Sequence, residues 1–418
     1  MYLSLSDRPD RTVAPTARRP RIPRVVWLLG LVSLFTDISS EAVTAILPLY
    51  LTAVLGLSSI AYGVVDGLYQ GVSALVRIAG GWAADRSDHP KWVAFVGYGL
   101  SCVARVGLLF ATGLGTVTAV ITADRIGKGV RTAPRDAMIA ASVPTSDLAR
   151  AFGVHRTLDT IGAVLGPLLA FAILYAIPDG YVTVMVASLA FAVIGVALIG
   201  LLVPDARPRR EARRDDVRAS APPFRWAEVA DPRLLRLLIV VGVLGILTVG
   251  DGFLYLALLD RSGFAAQWFP MLYVGTNVAF LVLAVPVGRL ADRVGRARVL
   301  VLGHVALLGA YACGATPGTG WVATAGALLL LGVFYAATDG VIAAVAGRLV
   351  PPGVRASGIA TAQTVTALAR LASSLCFGVL WFAVGPQSAL VLVGVLLALA
   401  IPVALREILV LDRTAEAV

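Results

Sequence analysis

Six ionisable residues crowd into the thirteen positions Asp124, Arg125, Lys128, Arg131, Arg135 and Asp136, inside an otherwise apolar run. Near the centre of a bilayer each such group costs roughly 2.5–3.5 kcal/mol on an insertion scale. Turned towards lipid, the six together would cost more than about ten kcal/mol. Helical spacing puts 124, 128, 131 and 135 on one stripe and 125 and 136 on the adjacent one. This side must therefore face protein or water. Gly127 and Gly129 allow a neighbour to come close, and Pro134 interrupts the run. A second apolar run carries Asp37 and Glu41, four residues apart on one face. A carboxylate carries protons when burial moves its pKa from about 4 towards neutrality. Two acids on one stripe, opposite a row of cations, suit proton binding or binding of a cationic substrate; a permanent salt bridge to Arg131 or Lys128 is the structural alternative. Asp251 and Asp339 place acids in two further runs. His155 and Asp159, again four apart with Arg156 between, read as a proton relay or an interfacial pair. Asp66, Arg105 and Arg370 are also intramembrane, with partners that the sequence does not assign.

The segments that hold these groups are membrane helices. The chain has 418 residues, 58% apolar and 14% charged, with a mean hydropathy of +0.85. A soluble domain carries about 25% charged residues. A spanning helix needs about 20 mostly apolar residues, and twelve stretches qualify: 25–51, 60–83, 92–112, 116–141, 151–175, 181–203, 236–259, 266–288, 297–315, 320–345, 357–383 and 388–411. The predicted organisation is a basic tail at 1–24, a six-helix bundle at 25–203, a linker at 204–235, a second bundle at 236–411 and a tail at 412–418. The linker holds Arg207, Arg209, Arg210, Arg213, Arg214 and Arg218 with Pro222 and Pro223, a flexible composition.

The net charge of +10 would point to nucleic acid in a soluble protein. Here the arginines gather in the first tail and the even-numbered connections. The odd-numbered connections hold one basic residue, Arg261. The positive-inside rule then predicts both termini and the linker in the cytoplasm. The first 24 residues lack an apolar stretch, so no cleavable signal is visible and the first helix would direct insertion. Cys102, Cys313 and Cys376 each lie in an apolar run, which argues against a disulfide framework or a metal cluster. His304 reads as packing.

The two halves repeat each other. Gly81-Trp-Ala-Ala-Asp85-Arg86 returns 207 residues later as Gly288-Arg-Leu-Ala-Asp292-Arg293. Asp136-Ala-Met-Ile-Ala-Ala returns as Asp339-Gly-Val-Ile-Ala-Ala, and Arg150-Ala-Phe-Gly-Val as Arg355-Ala-Ser-Gly-Ile. Leu34-Phe-Thr-Asp37 and Thr248-Val-Gly-Asp251 hold comparable places, so one six-helix unit occurs twice.

On these motifs the chain resembles the major facilitator superfamily of secondary transporters over residues 25–411. Gly288, Asp292, Arg293, Gly295, Arg296 and Arg298 match that family's loop motif between helices two and three, in its second copy. The first copy keeps Gly81, Asp85, Arg86 and Lys91 and has Asp88 where the family usually has Gly. The resemblance implies an all-α membrane protein with twelve transmembrane helices in two pseudo-symmetric six-helix bundles, around a central cavity that opens alternately to each side. It implies that helices one, four, seven and ten line that cavity, and all four carry acids here. Arg125-x-x-Lys128-Gly129 is similar to the family's helix-four motif, whose arginine is linked to proton coupling. Gly162-x-x-x-Gly166-Pro167 is similar to the helix-five motif of its drug–proton antiporters, although Ala170-Phe171 replaces the following glycine pair. Small residues and a proline make a hinge there physically sensible. Gly-Lys-Gly-Val-Arg-Thr-Ala-Pro-Arg-Asp in helix four resembles a prokaryotic branch.

An enzyme or an ATP-driven pump finds no support, since the sequence has no phosphate-binding loop and no His/Cys metal pattern. No cofactor is expected. The leading expectation is a monomeric, proton-coupled exporter of a small organic molecule in the bacterial inner membrane. Asp37 and Glu41, with Asp251 and Asp339, would exchange protons against substrate; Arg125 would tune them, and the loop charges Asp85, Arg86, Asp292, Arg293 and Arg296 would latch one state. The alternative is an importer of an anionic metabolite clamped by Lys128, Arg131 and Arg135, since arginine suits carboxylate or phosphate. A non-transporting scaffold would have no need of such costly buried charge.

Overall fold

The computed structural model describes residues 22–86, 89–205, 231–316, 320–350 and 355–416, with the side chains of 77–86, 145, 297, 355–357 and 412–416 excepted. The tail arginines before residue 22, the arginine-rich linker 206–230 and Asp88 lie outside the described residues. Twelve helical spans follow one another: α1 (Arg24–Val54), α2 (Ser59–Arg86), α3 (Pro90–Leu109), α4 (Leu114–Ala141), α5 (Leu148–Ala176), α6 (Tyr181–Leu201), α7 (Pro232–Ser262), α8 (Phe269–Val294), α9 (Arg296–Ala315), α10 (Trp321–Leu349), α11 (Arg355–Val384) and α12 (Pro386–Glu416). Among the described residues, ten helical segments are long and apolar enough to cross a membrane. The two that fall short are α2 and α4, the first diluted by Asp66, Gln70 and glycines, the second by its charges. Both are held inside the protein.

Local chemistry sets where the helices start. Pro90, Pro232, Pro270 and Pro386 sit in first turns, where the missing N–H costs nothing. Asp231 caps α7 by accepting from the Arg233 N–H at 2.7 Å. Several ends differ from the expected ones. The Pro232 start places α7 four residues before the expected 236, and α12 continues to Glu416 rather than 411. In contrast, α3 stops at Leu109, short of 112.

Three spans are also broken, which hydropathy does not reveal. Past Thr44, α1 passes through a turn, the short helix Leu47–Leu49 with Pro48, and a π-turn at Tyr50–Val54. The α7 span is two helices, Pro232–Ile246 and Asp251–Ser262. The Tyr311 hydroxyl spans that break, accepting from the Val249 N–H at 2.7 Å and donating to the Leu247 carbonyl at 3.0 Å. Freed backbone groups in hydrocarbon need such partners. The α10 span breaks between Thr338 and Val341, where Gly340 takes φ 78°, a left-handed conformation that favours glycine.

Packing repeats across the halves. In the first half α1 packs on α5 and α6, α2 on α4, and α3 on α4 and α6. The second half repeats this with every number raised by six: α7 on α11 and α12, α8 on α10, and α9 on α10 and α12. The pairs joining the halves, α2 with α11 and α5 with α8, exchange under the same operation. This is the pseudo-symmetric arrangement expected from the sequence repeat.

The cross-half contacts concentrate on the side away from the start of α1 and the end of α6. There a Cβ on Gly63 would lie 2.5 Å from the Ser374 carbonyl oxygen, and one on Gly378 would lie 2.7 Å from that of Ser59. Tyr62 meets Phe253 edge-on at 4.6 Å, and Phe171 meets Trp268 at 5.0 Å. The two halves are therefore closed against each other on this far side. Gly63→Val is expected to push α2 from α11 and open it. In a background lacking the three native cysteines, spin labels at Leu57 and Phe382 should move to longer distances; an unchanged distribution would contradict this packing account.

Candidate functional site

The charges of α4 do not act as one stripe, because each turn of the helix meets a different neighbour. Asp124 and Arg125 are 1% and 2% exposed. The Arg125 guanidinium bonds the Asp124 carboxylate through Nε at 3.0 Å and through a second nitrogen. Arg105 of α3 approaches the same carboxylate at 3.3 Å and donates to the Ser40 hydroxyl at 3.1 Å. Arg125 also lies over the Tyr69 ring of α2, 3.9 Å from its centre. This triad is closed: two guanidinium groups, one carboxylate and an aromatic face, removed from water. Desolvated charges survive only with such company. Arg125 was expected to attend the acids of α1; instead its partner is Asp124, the preceding residue on its own helix.

Lower on α4, Arg131 stacks over Tyr98 at 4.6 Å and donates to the Ser101 hydroxyl at 3.3 Å. Arg135 bonds Asp136 at 2.9 and 3.0 Å and Ser33 at 3.2 Å. That leaves Lys128. Its ammonium faces Asp37 and Glu41, yet among the described residues no ion pair within 4.0 Å forms on any of the three. The permanent salt bridge weighed for Asp37 is absent among them. Asp37 instead faces another acid, Asp159 of α5.

The glycines of α5 make that meeting possible. A Cβ on Gly162 would lie 2.6 Å from the Leu34 carbonyl oxygen and 3.1 Å from the Asp37 Cβ. One on Gly166 would lie 2.8 Å from the Glu41 Cβ and 2.9 Å from the Ile38 carbonyl oxygen. Both glycines therefore press the α5 backbone onto the two turns of α1 that carry the acids. Pro167 is buried and α5 remains helical through it. His155, 4% exposed, has no hydrogen-bond partner on either ring nitrogen among the described residues and faces Arg135, Asp159 and Asp136.

The second-half acids do not join this group. Asp251 opens the second piece of α7 and takes the Tyr335 hydroxyl of α10 on both oxygens, at 2.7 and 2.8 Å. Arg370 of α11 stands 5.9 Å from the Tyr335 ring. Asp66 of α2 accepts from the Ser374 hydroxyl at 2.5 Å, across the boundary between halves. Asp339 stands elsewhere, at the break in α10, 59% exposed and 4.0 Å from Arg156 of α5, which also pairs with Asp159 at 3.5 Å. The expected single cavity set of Asp37, Glu41, Arg125, Lys128, Arg131, Asp251 and Asp339 is thus divided among several places. Arg125 and Arg131 are drawn off by their own partners, and the breaks in α7 and α10 set Asp251 and Asp339 at helix ends. Asp66, Tyr69, Arg105, Asp124, Tyr335 and Arg370 complete the groups.

In the loop motif, Asp292 pairs with Arg296 at 3.2 Å, within its own turn. Gly295 there takes φ 104°, and Gly288 and Arg293 stand by. The side chains of Gly81, Asp85 and Arg86 lie outside the described residues.

The sequence model of the Major Facilitator Superfamily matches residues 29–276 and 259–416. The chain belongs to the major facilitator superfamily. An MFS-type transporter of Methanocaldococcus jannaschii is 30% identical over 371 residues, covering 85% of this chain and 88% of that protein. A protein of Mycobacterium tuberculosis is 30% identical over 299 residues, 70% of this chain and 72% of its own length. Among solved structures, the nucleoside transporter NupG superposes with a TM-score of 0.79 at 15% identity, over 92% of this chain and 100% of that one. A POT family transporter in complex with 5-aminolevulinic acid gives 0.75 at 14% identity, over 94% and 97%. A bacterial homologue of the lysosomal transporter Spinster, inward-facing and occupied, gives 0.71 at 15%, over 93% and 96%. At these identities the likeness is one of fold. As a major facilitator protein the chain is a multi-pass membrane transporter, a class that is not enzymatic.

Proposed function

We propose that this transporter is a proton-coupled exporter that moves a small organic molecule by alternating access. The observation that carries the reading is the seating of α5 on α1: a Cβ on Gly162 would lie 3.1 Å from the Asp37 Cβ, which brings Asp159, one turn earlier on α5, beside Asp37. Two neighbouring acids do not readily ionise together, so the pair would hold one proton between them. Glu41 and Lys128 stand beside the pair, uncommitted to ion pairs. A proton leaving the pair and a substrate entering would change the charge that α1 presents to α4. Gly162 and Gly166 clamp α5 onto the same turns of α1, so a rearrangement of the acids is felt directly by α5. Gly166-Pro167 would serve that rocking, and Asp85, Arg86, Asp292, Arg293 and Arg296 would latch one state. The Arg156–Asp339 contact between halves and the far-side closure describe the state seen here. Arginine placement supports two six-helix bundles joined by a cytoplasmic linker, with both termini in the cytoplasm of a bacterial inner membrane.

The anion-importer reading needs Lys128, Arg131 and Arg135 free to clamp a substrate. Arg131 is engaged by Tyr98 and Ser101, and Arg135 by Asp136 and Ser33. That commitment weighs for the acids as the working groups. The test uses inside-out vesicles and a panel of small organic compounds, with the pH gradient imposed or collapsed. One-for-one exchange sustains about tenfold accumulation per pH unit. Accumulation that ignores the gradient would remove proton coupling, and accumulation lost in Arg131→Gln but kept in Asp37→Asn would favour the anion reading.

A further inference from the structure

Outside the closed far-side gate lies a cavity of about 500 Å³ that plays no part in the coupling scheme. It sits where the far ends of α1, α2, α7 and α11 meet the start of α12. Its wall is aromatic: Tyr62, Phe253, Trp381 and Phe382. Phe253 is the hub, T-shaped to Tyr62 at 4.6 Å and tilted to Trp381 at 5.5 Å. The same Tyr62–Phe253 contact closes the passage between the halves, so the floor of this vestibule is the gate itself.

One acidic side chain lines the vestibule, Asp260 near the end of α7. Among the described residues its carboxylate has no salt bridge within 4.0 Å. The cation next to it in sequence, Arg261, is turned away and donates to the Ala315 and Thr316 carbonyls at the end of α9. The far-side connections 55–59, 113–115, 176–180, 260–265, 316–319 and 384–387 contain Asp179 and Asp260 against Arg261 alone. The far-side connections thus carry one more acid than base, and Asp260 is the one of these charges that lines the cavity. Aromatic faces offer negative quadrupole to a cation, and such contacts strengthen as water is excluded. A pocket of this size accommodates a drug-sized molecule.

We propose that this vestibule is a binding site for a lipophilic organic cation, held by Asp260 and the rings of Trp381 and Phe382, with the buried Tyr62 and Phe253 beneath them. An anion or a neutral molecule of the same shape lacks the attraction to both features. The site lies beyond the gate, on the face towards which an exporter releases its cargo. A cation resting there bears on Tyr62 and Phe253, and so on the gate. The inference goes beyond proton coupling and stands without it.

Equilibrium dialysis of the purified full chain with tetraphenylphosphonium, and with the anion of matching shape, tetraphenylborate, tests it. The cation should bind and the anion should not. Asp260→Asn should weaken cation binding about fivefold, and Trp381→Leu by a similar factor. Asp260→Glu should restore the wild-type affinity, and an unchanged thermal unfolding midpoint should show that each variant is folded. Equal binding of both ions, or full cation affinity in Asp260→Asn and Trp381→Leu alike, would overturn the proposal.

Discussion

Asp124→Asn is expected to destabilise the protein by about 3–5 kcal/mol, the cost of breaking a buried ion pair from one side. The carboxylate answers both Arg105 and Arg125, and these guanidinium groups are 4% and 2% exposed. An amide there is neutral, so two desolvated cations would lose the carboxylate they share. Tyr69 and Ser40 cannot supply one. The effect should appear as a large drop in the thermal unfolding midpoint of the detergent-solubilised protein and as poor yield. Lys128→Gln is the control on the same helix. Its ammonium forms no close ion pair among the described residues, so stability should change little while transport changes. Equal stability of Asp124→Asn and wild type would show that the triad is not a structural anchor.

Asp37→Asn is expected to do the reverse, sparing the fold and removing the work. An amide keeps the shape of the side chain and its capacity to donate to Asp159, but it has no proton to give up. With two pH units imposed, one-for-one exchange supports about hundredfold accumulation in the wild type. The variant should equilibrate its cargo without accumulating it. Vesicle flux with the gradient on and off measures both numbers. Retained gradient-driven accumulation in the variant would move coupling away from α1.

The two predictions separate two uses of intramembrane charge that look alike in the sequence. Hydropathy marked the spans well, since a run of about 20 apolar residues has few other fates. The repeat was equally legible, and the packing pairs follow it with every helix number raised by six. The helix breaks do not show in the hydropathy, although a local signal exists. Asp339-Gly340 is a turn dipeptide, and Gly250-Asp251 offers the glycine and acid that a new helix start uses. Apolar neighbours on both sides hid them. The pairing of charges was beyond the sequence for a different reason. Spacing on α4 gives a stripe, but Asp124 is matched by Arg105 and Arg131 by Tyr98, both on α3, and Arg135 reaches Ser33 on α1. Which neighbour each turn meets is a tertiary fact. The Gly162-x-x-x-Gly166 spacing was visible; its consequence, the seating of α5 on Asp37 and Glu41, required the packed helices.

The most direct measurement of the central claim is the protonated-carboxyl stretch in infrared difference spectra of the purified protein, taken between acid and alkaline pH. Wild type, Asp37→Asn and Asp159→Asn are compared without any substrate. If the two acids hold a single proton in common, one titrating band present in the wild type vanishes in both single variants. If that band persists unaltered in both, the pair holds no such proton and the account of coupling through α1 and α5 is wrong.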